Sequence, residues 1–195
     1  MKARAPGKLV LSGAYSILWG APALVCAVSR DAVADTERAP EHVGAELARA
    51  VELGYLPFAP HVDVSALRAP RSDGQGTRKL GLGSSAALLV AALAAFELGP
   101  LDEARRASLF ERARQAHREA QGGGSGVDVA AAVYGGVLRA ALDDDGRLHV
   151  EPSALPPGTT IRVFAAAEPA ETASLVARVR SFREADPRRF DELIG

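Results

Sequence analysis

A glycine- and serine-rich segment is the part of this sequence best suited to chemistry. Residues 81–85 read Gly-Leu-Gly-Ser-Ser, and the alanine and leucine run behind them predicts a helix reaching to about Leu98. The start of a helix attracts anions, because its first backbone N–H groups are unpaired and carry partial positive charge. Glycine lets a phosphate approach closely, and serine hydroxyls are ligands for phosphate or metal. An ordinary helix start with a serine cap has the same pattern, so the segment alone leaves both interpretations open.

Two lysines stand beside glycine signals in a chain that otherwise uses arginine. Only three of the 23 basic residues are lysines, and Lys8 follows Pro6-Gly7 while Lys79 precedes the 81–85 segment. Lysine is a compact point charge and is not equivalent to the planar arginine at a phosphate. The segment is not a Walker A loop or a dinucleotide fingerprint, since it lacks the terminal Gly-Lys-Ser/Thr and a third glycine. The two lysines therefore indicate a phosphate site that is neither of these two types, or they lie beside the glycines by chance.

The elements that must position these residues alternate between strands and helices. Strands are predicted over residues 8–12, 23–29, 61–66, 137–142, 147–150 and 161–167. Helices are predicted over residues 41–53, 84–98, 101–121, 127–134 and 171–185, and a further one from Pro187. Residues 69–78 are predicted to be a loop, and residues 143–146 (Asp-Asp-Asp-Gly) the turn of a hairpin rather than a metal site.

Composition excludes several classes of protein. The net charge is −1, which argues against a nucleic-acid-binding protein, and 48% hydrophobic with 24% charged residues predicts a cored globular domain. Cys26 is the only cysteine, so an internal disulfide and a multi-cysteine zinc site are excluded. The most apolar stretch, residues 86–96, is too short to span a membrane, and the N-terminus does not resemble a signal peptide. We expect a soluble cytoplasmic protein without membrane or nucleic-acid partners.

Three ordered motifs together resemble the GHMP kinases, a superfamily named for galactokinase, homoserine kinase, mevalonate kinase and phosphomevalonate kinase. The first motif comprises Pro-Gly-Lys at 6–8, Gly-x-Tyr at 13–15 and Gly-x-Pro-Ala at 20–23. The second is the glycine-rich segment within residues 79–87, which is similar to the ATP loop of these kinases. The third, Gly-Gly-Ser-Gly-Val-Asp at 123–128, is most similar to phosphomevalonate kinase.

The resemblance implies an α+β fold. Residues 1–154 are expected to form an N-terminal domain like ribosomal protein S5 domain 2, with a mixed sheet and helices on one face. Residues 155–195 are expected to begin a ferredoxin-like C-terminal domain, so the chain is either part of a longer protein or a shortened relative. The implied reaction is ATP-dependent, Mg²⁺-assisted phosphorylation of a small acidic metabolite in the mevalonate pathway of isoprenoid biosynthesis. Phosphomevalonate is the favoured acceptor, and mevalonate or another small alcohol is the alternative.

The resemblance also implies roles for particular residues. Asp128 corresponds to the family aspartate that meets the acceptor hydroxyl, and Lys8 would hold its charge and stabilise the transition state. The substrate is expected to contact Tyr15, Ser125 and Gly126 at positions that match the family, and also Arg139, whose positive charge suits the phosphate of phosphomevalonate. ATP is expected to contact Lys79, Gly81, Leu82, Gly83, Ser84, Ser85 and Ala86, with Ser85 also serving as a metal ligand.

Other interpretations stay open at this point. Arg78 and Lys79 either meet a phosphate or are solvated, and Tyr15 is either a pocket residue or packing. His117 is interpreted as a helix-face residue rather than a ligand. The sequence has Ala14 where these kinases commonly have a glutamate, and no third glycine-rich motif follows residue 150. A catalytically inactive nucleotide-binding relative is therefore the alternative to an enzyme.

Overall fold

The computed structural model describes residues 1–71, 73–165 and 172–194. Its strands are β1 (Lys2–Ser12), β2 (Ala23–Asp35), β3 (His61–Asp63), β4 (Arg68–Pro70), β5 (Thr77–Lys79), β6 (Val137–Leu142) and β7 (Leu148–Ser153). Its α-helices are α1 (Ala45–Glu52), α2 (Ser84–Ala94), α3 (Glu103–Gln121), α4 (Val127–Tyr134), α5 (Thr172–Ala185) and α6 (Pro187–Ile194). Two short 3₁₀ helices span Ser16–Trp19 and Ser65–Leu67.

The main sheet has the strand order β1-β2-β6-β7, and β3 pairs with the far end of the long strand β2. Every pairing in the described residues is antiparallel, so the expected mixing of strand directions is absent there. The two strands predicted over residues 8–12 and 23–29 pair antiparallel as β1 and β2. Both strands are longer than predicted, because β1 and β2 continue to pair as far as Lys2 opposite Asp35.

Helices α2 and α4 pack on one face of the sheet, against β1 and β2. The buried residues of both helices are mostly alanine, which lets the helix backbones lie close to the strands. These buried alanines are Ala86, Ala87, Ala91, Ala92, Ala130, Ala131 and Ala132. The α+β fold class is confirmed, since the helices are segregated to one face of an antiparallel sheet.

Several predicted boundaries differ from the structure for local reasons. Helix α1 begins at Ala45 rather than at residue 41, because Gly44 is extended and precedes its first turn. Helix α2 ends at Ala94 rather than near Leu98, ahead of Gly99 with its φ of 89°. Strand β3 stops at Asp63, whose carboxylate accepts the Ser65 N–H at 2.8 Å and turns the chain into a 3₁₀ helix. That hydrogen bond lowers the pKa of Asp63.

The predicted loop over residues 69–78 is a short hairpin in the structure. Strands β4 and β5 pair antiparallel, with Arg68 opposite Lys79. A hydrogen bond from the Arg71 N–H to the Gly76 carbonyl (3.1 Å) closes the turn. The polar and glycine-bearing composition of residues 69–78 favours a loop, but backbone hydrogen bonds between β4 and β5 do not depend on apolar side chains and form a hairpin there.

The last part of the chain was predicted less accurately. Residues 161–165 form no strand, and Ile161, Val163 and Phe164 are exposed without a neighbouring strand to pair with in the described chain. Residues 166 and 167, and Glu171 at the predicted helix start, lie outside the described residues. Helices α5 and α6 are confirmed, and Phe190 of α6 packs edge-on against Trp19 at 5.4 Å between ring centroids. No helix among the described residues has the length and hydropathy to cross a bilayer.

A bulge in β1 falls within the predicted Pro-Gly-Lys motif at residues 6–8. The register of β1 shifts between Pro6 and Lys8. At the shift the Lys8 N–H donates to the Leu82 carbonyl at 2.8 Å, so the strand is bonded to the segment that begins α2. A methyl group on Gly7 would lie 2.6 Å from both the Leu82 oxygen and Leu67 Cδ2. Glycine at position 7 is therefore required for close approach.

We expect Gly7→Ala to destabilise the fold by about 1–3 kcal/mol, the usual cost of overpacking. The added methyl group must displace a backbone carbonyl and a buried leucine. Gly44→Ala is the matched control, because Gly44 also has a negative φ and a methyl group there would meet only Glu46 Oε2, at 3.4 Å. Urea unfolding of both variants measures the difference, and equal stabilities would contradict the steric argument.

Candidate active site

The segment before α2 has the geometry of an anion site. Gly81 and Gly83 adopt positive φ values of 77° and 67°, and Gly83 is the N-cap of α2 without a side-chain cap hydrogen bond. In the described chain, no oxygen accepts the backbone N–H groups of residues 81–86. Serine therefore does not cap the helix in the way that the simpler interpretation required. The free N–H groups are available to an external acceptor.

Three predicted site residues converge at Gly83. A methyl group on Gly83 would lie 2.9 Å from Lys8 Cγ, 3.2 Å from Lys8 Cε and 3.6 Å from Asp128 Cβ. The Lys8 side chain thus extends over the start of α2 toward the first turn of α4. Lys8 makes no ion pair with any described carboxylate, which leaves its ammonium group available to a ligand.

A histidine lies between the first turns of α2 and α4. His117 of α3 is buried, and its Nε2 lies 3.1 Å from Ser85 Oγ and 3.8 Å from Asp128 Oδ2. The other carboxylate oxygen of Asp128 accepts the Val129 N–H at 3.1 Å. His117 lies on a face of α3, in line with the interpretation from the sequence, and its imidazole additionally contacts the side chains of Ser85 and Asp128.

The turn before Asp128 is held in place by α3. Gly126 is the N-cap of α4 with a φ of 87°, and the side chain of Arg114 lies over it. Arg114 also donates to the Gly146 carbonyl in the turn between β6 and β7, at 2.5 Å. Ser125 Oγ accepts the Val127 N–H at 3.5 Å. Both predicted substrate residues of this turn therefore lie beside Asp128 in the fold.

The remaining predicted residues are spread more widely. Lys79 is exposed at the end of β5, two residues before Gly81 and directly opposite Arg68. Arg139 lies on the other face of the sheet from the helices, since its neighbours Leu138 and Ala140 are buried, and it pairs with Glu151 at 3.6 Å. Tyr15 is half-buried at the start of a 3₁₀ helix. The structure does not bring Arg139 to the other site residues.

Helix α3 is fixed at both ends, so its contacts with the site are well defined. Asp102 caps the helix by accepting the Arg105 N–H at 2.9 Å, and Gly122 ends it with a φ of 69°. The Glu119 carboxylate accepts a hydrogen bond from Gln115 at 3.0 Å and another from the guanidinium of Arg49 in α1. These bonds lower the pKa of Glu119, because they stabilise its charged form.

The residues present suit ATP and Mg²⁺. The free N–H groups of residues 81–86 and the Lys8 ammonium suit a polyphosphate. Ser85 and Asp128 offer oxygen ligands, which Mg²⁺ prefers. No cluster of three or more histidine, cysteine, aspartate or glutamate residues suited to a metal occurs in the described chain. Bound Mg²⁺ would neutralise charge on the phosphates.

A family model and several solved structures match this chain, and they agree on its fold. Residues 45–136 match the family model of the GHMP kinases N terminal domain. A Lin0012 protein from Listeria innocua superposes with a TM-score of 0.72 at 20% identity, covering 99% of this chain and 68% of that one. The chain has the fold of a GHMP kinase N-terminal domain. No curated protein sequence matches it.

Two other structures with the GHMP kinase fold were determined with bound ligands. The mevalonate kinase of L. major in complex with R-mevalonate has a TM-score of 0.63 at 20% identity, covering 100% of this chain and 64% of that one. The Streptococcus pneumoniae phosphomevalonate kinase in complex with phosphomevalonate and AMPPNP has a TM-score of 0.55 at 19% identity, covering 73% and 50%. The chain thus spans from about half to two thirds of the length of these proteins.

Several contacts at this candidate site were not predicted from the sequence. The contact of His117 with Ser85 had one available signal, since His117 falls in the buried stripe of Leu109, Phe110, Ala113 and Ala116 on α3. The packing of Arg114 on Gly126 and the bond from Lys8 to Leu82 had none, because both join residues that are distant in sequence.

We expect Gly83→Ala to destabilise the protein more than Gly81→Ala. Both positions require positive φ, which costs alanine about 1–2 kcal/mol. Position 83 adds a clash with Lys8, worth about 1–3 kcal/mol more, whereas a methyl group on Gly81 would meet nothing within 4 Å. Chemical denaturation of the two variants measures this difference. Equal losses would mean that Lys8 moves aside at no cost.

Proposed function

We propose that this protein is an ATP-dependent phosphotransferase that phosphorylates a hydroxyl group of a small acidic metabolite. The observation that carries the proposal is the convergence of Lys8, Gly83 and Asp128 where α2 begins. Phosphoryl transfer depends mainly on positioning and on neutralising phosphate charge, and the site offers an ammonium group and free N–H groups for that purpose. The family match over residues 45–136 supports the same class of reaction.

The roles follow from position. The amides of residues 81–86 and the hydroxyls of Ser84 and Ser85 bind the polyphosphate of ATP, and Lys8 approaches its transferred end. Asp128, at the first turn of α4, meets the acceptor hydroxyl and orients it or accepts its proton. Because Lys8 makes no ion pair with Asp128, its main role is stabilisation of charge in the transition state.

Phosphomevalonate is the acceptor we propose, and mevalonate is the alternative. An acceptor that already carries a phosphate needs additional positive charge near the site. The hairpin that leads into residues 81–85 carries two cations, since Arg68 is the backbone partner of Lys79 and its guanidinium donates to Thr77 Oγ1 at 2.7 Å. The bound phosphomevalonate of the Streptococcus pneumoniae structure supports this choice, and the bound mevalonate of the L. major structure supports the alternative.

The residues after β7 and the residue at position 14 bear on the proposed function. We propose that residues 155–195 begin the ferredoxin-like domain that accompanies this fold. An inactive nucleotide-binding relative remains the competing function, favoured by Ala14. Release of ADP coupled to a spectrophotometric assay, with phosphomevalonate, mevalonate, homoserine and galactose as acceptors, distinguishes the two. Nucleotide binding without release of ADP from any acceptor would favour the inactive relative.

We expect Asp128→Asn to lower kcat by a factor of about 10² to 10⁴, the range for a positioned acid–base group, with little change in ATP affinity. Lys8→Arg should also lose activity, because the side chain passes close to Gly83 and a guanidinium group is wider than an ammonium group. Asp144→Asn, in the exposed turn after β6, is the matched control. Steady-state kinetics and calorimetric titration with ATP measure both effects. Full activity of Asp128→Asn would refute the assigned role.

We expect Lys79→Ala to raise KM for phosphomevalonate about tenfold or more, since it removes a charged hydrogen bond to phosphate. Its effect on ATP affinity should be smaller. Arg139→Ala should have little effect on KM, because Arg139 lies on the opposite face beside Glu151. Lys2→Ala, which removes a lysine paired with Asp35, controls for lost charge. Faster use of mevalonate than of phosphomevalonate by the unaltered protein would shift the assignment to mevalonate.

A further inference from the structure

A buried imidazole connects the two halves of the proposed site. Among the described residues, only Asp35 and His117 combine a polar or charged side chain with burial, and Asp35 lies at the far end of β2. His117 occupies a stripe of α3 that is otherwise apolar and faces the alanine-rich helices α2 and α4. A polar group in such surroundings is costly unless it is hydrogen-bonded.

The hydrogen bond that satisfies His117 leads into the site. Its Nε2 lies 3.1 Å from the hydroxyl oxygen of Ser85, in the first turn of α2. The same nitrogen lies 3.8 Å from Asp128 Oδ2, in the first turn of α4. One atom of α3 is therefore adjacent to a side chain at the proposed phosphate site and to the side chain proposed to meet the acceptor.

We infer that His117 is a positioning residue, which fixes the rotamers of Ser85 and Asp128 relative to each other. The inference rests on the proposed phosphoryl transfer, and it assigns His117 no contact with substrate. Ser85 is fixed by the direct hydrogen bond, and Asp128 is confined between the imidazole and the Val129 N–H that its other oxygen accepts. The two side chains then hold the donor and acceptor sides of the site in alignment.

Position 117 can be changed so that the orientation of Ser85 and Asp128 is lost while the fold is kept. Leucine at position 117 suits the apolar stripe, and the oxygens it leaves on Ser85 and Asp128 belong to half-buried residues that water reaches. His117→Leu therefore keeps the fold while releasing both side chains. Misplacement of reacting groups by about 1 Å can cost about 10²-fold in rate. Glutamine retains a polar group on a flexible stem, so His117→Gln should recover part of the loss.

The test combines kinetics with NMR on the intact protein. We expect His117→Leu to lower kcat about 10-fold to 100-fold with little change in KM for ATP or in unfolding midpoint, and His117→Gln to be intermediate. His149→Leu is the matched control, because His149 forms a pair with Asp143 at 2.7 Å away from the site. Unchanged kcat in His117→Leu would overturn the inference. An unaltered protein that releases no ADP would instead refute the proposed function.

The contact itself has a readout that does not require activity. Long-range ¹⁵N–¹H spectra report the ring nitrogens of the four histidines, and the spectrum of His117→Leu assigns the signal of His117. We expect Ser85→Ala to shift the Nε2 resonance of His117, because it removes the hydrogen bond. Ser84→Ala is the matched control, since Ser84 is the preceding residue and has no bond to His117. An Nε2 resonance that does not respond to Ser85→Ala would overturn the inference.

Discussion

The hydrogen bond from the Lys8 N–H to the Leu82 carbonyl, 2.8 Å long, joins an edge strand of the main sheet to the segment that begins α2. The bulge at Gly7 makes this bond possible, since a side chain there would collide with the same carbonyl. Once the bond forms, the Lys8 side chain passes over Gly83, and the free N–H groups of α2 acquire a fixed position relative to the ammonium group. The position of the proposed phosphate site is thus fixed relative to strand β1.

Helix α3 supplies the second constraint. It is capped by Asp102 at one end and bonded to Arg49 of α1 near the other, so its inward face is held in register with α2 and α4. From that face Arg114 covers Gly126 and His117 reaches both Ser85 and Asp128. The turn that carries Asp128 is rich in glycine and has little preference of its own. Its conformation is therefore set by the helix that lies against it.

Local signals predicted much of this arrangement. Helix α4 has its predicted bounds, and Asp102 and Gly122 mark the ends of α3, because caps and glycine turns act over a few residues. The order of motifs indicated that residues 6–8, 81–85 and 128 belong to one site. The sequence could not indicate which nitrogen lies beside Asp128, because His117 and Ser85 meet only when α2 and α3 pack. Arg139 shows the converse, since its charge suggested a ligand while the alternation of β6 places it on the opposite face of the sheet, beside Glu151.

The alanines beneath α2 and α4 have a further consequence. Where two helices rest on a sheet largely through methyl groups, helix and strand approach closely, and few long side chains, such as Leu89 and Leu93 of α2, remain to absorb a change by rotating. The separation of the first turns of α2 and α4 then depends on the volume of buried residues such as Ala87 and Ala131. Selection on the spacing of Ser85 and Asp128 would therefore act on small residues in the core. Substitution of those core residues would change how well a ligand fits between the two helices without altering any side chain that contacts the ligand.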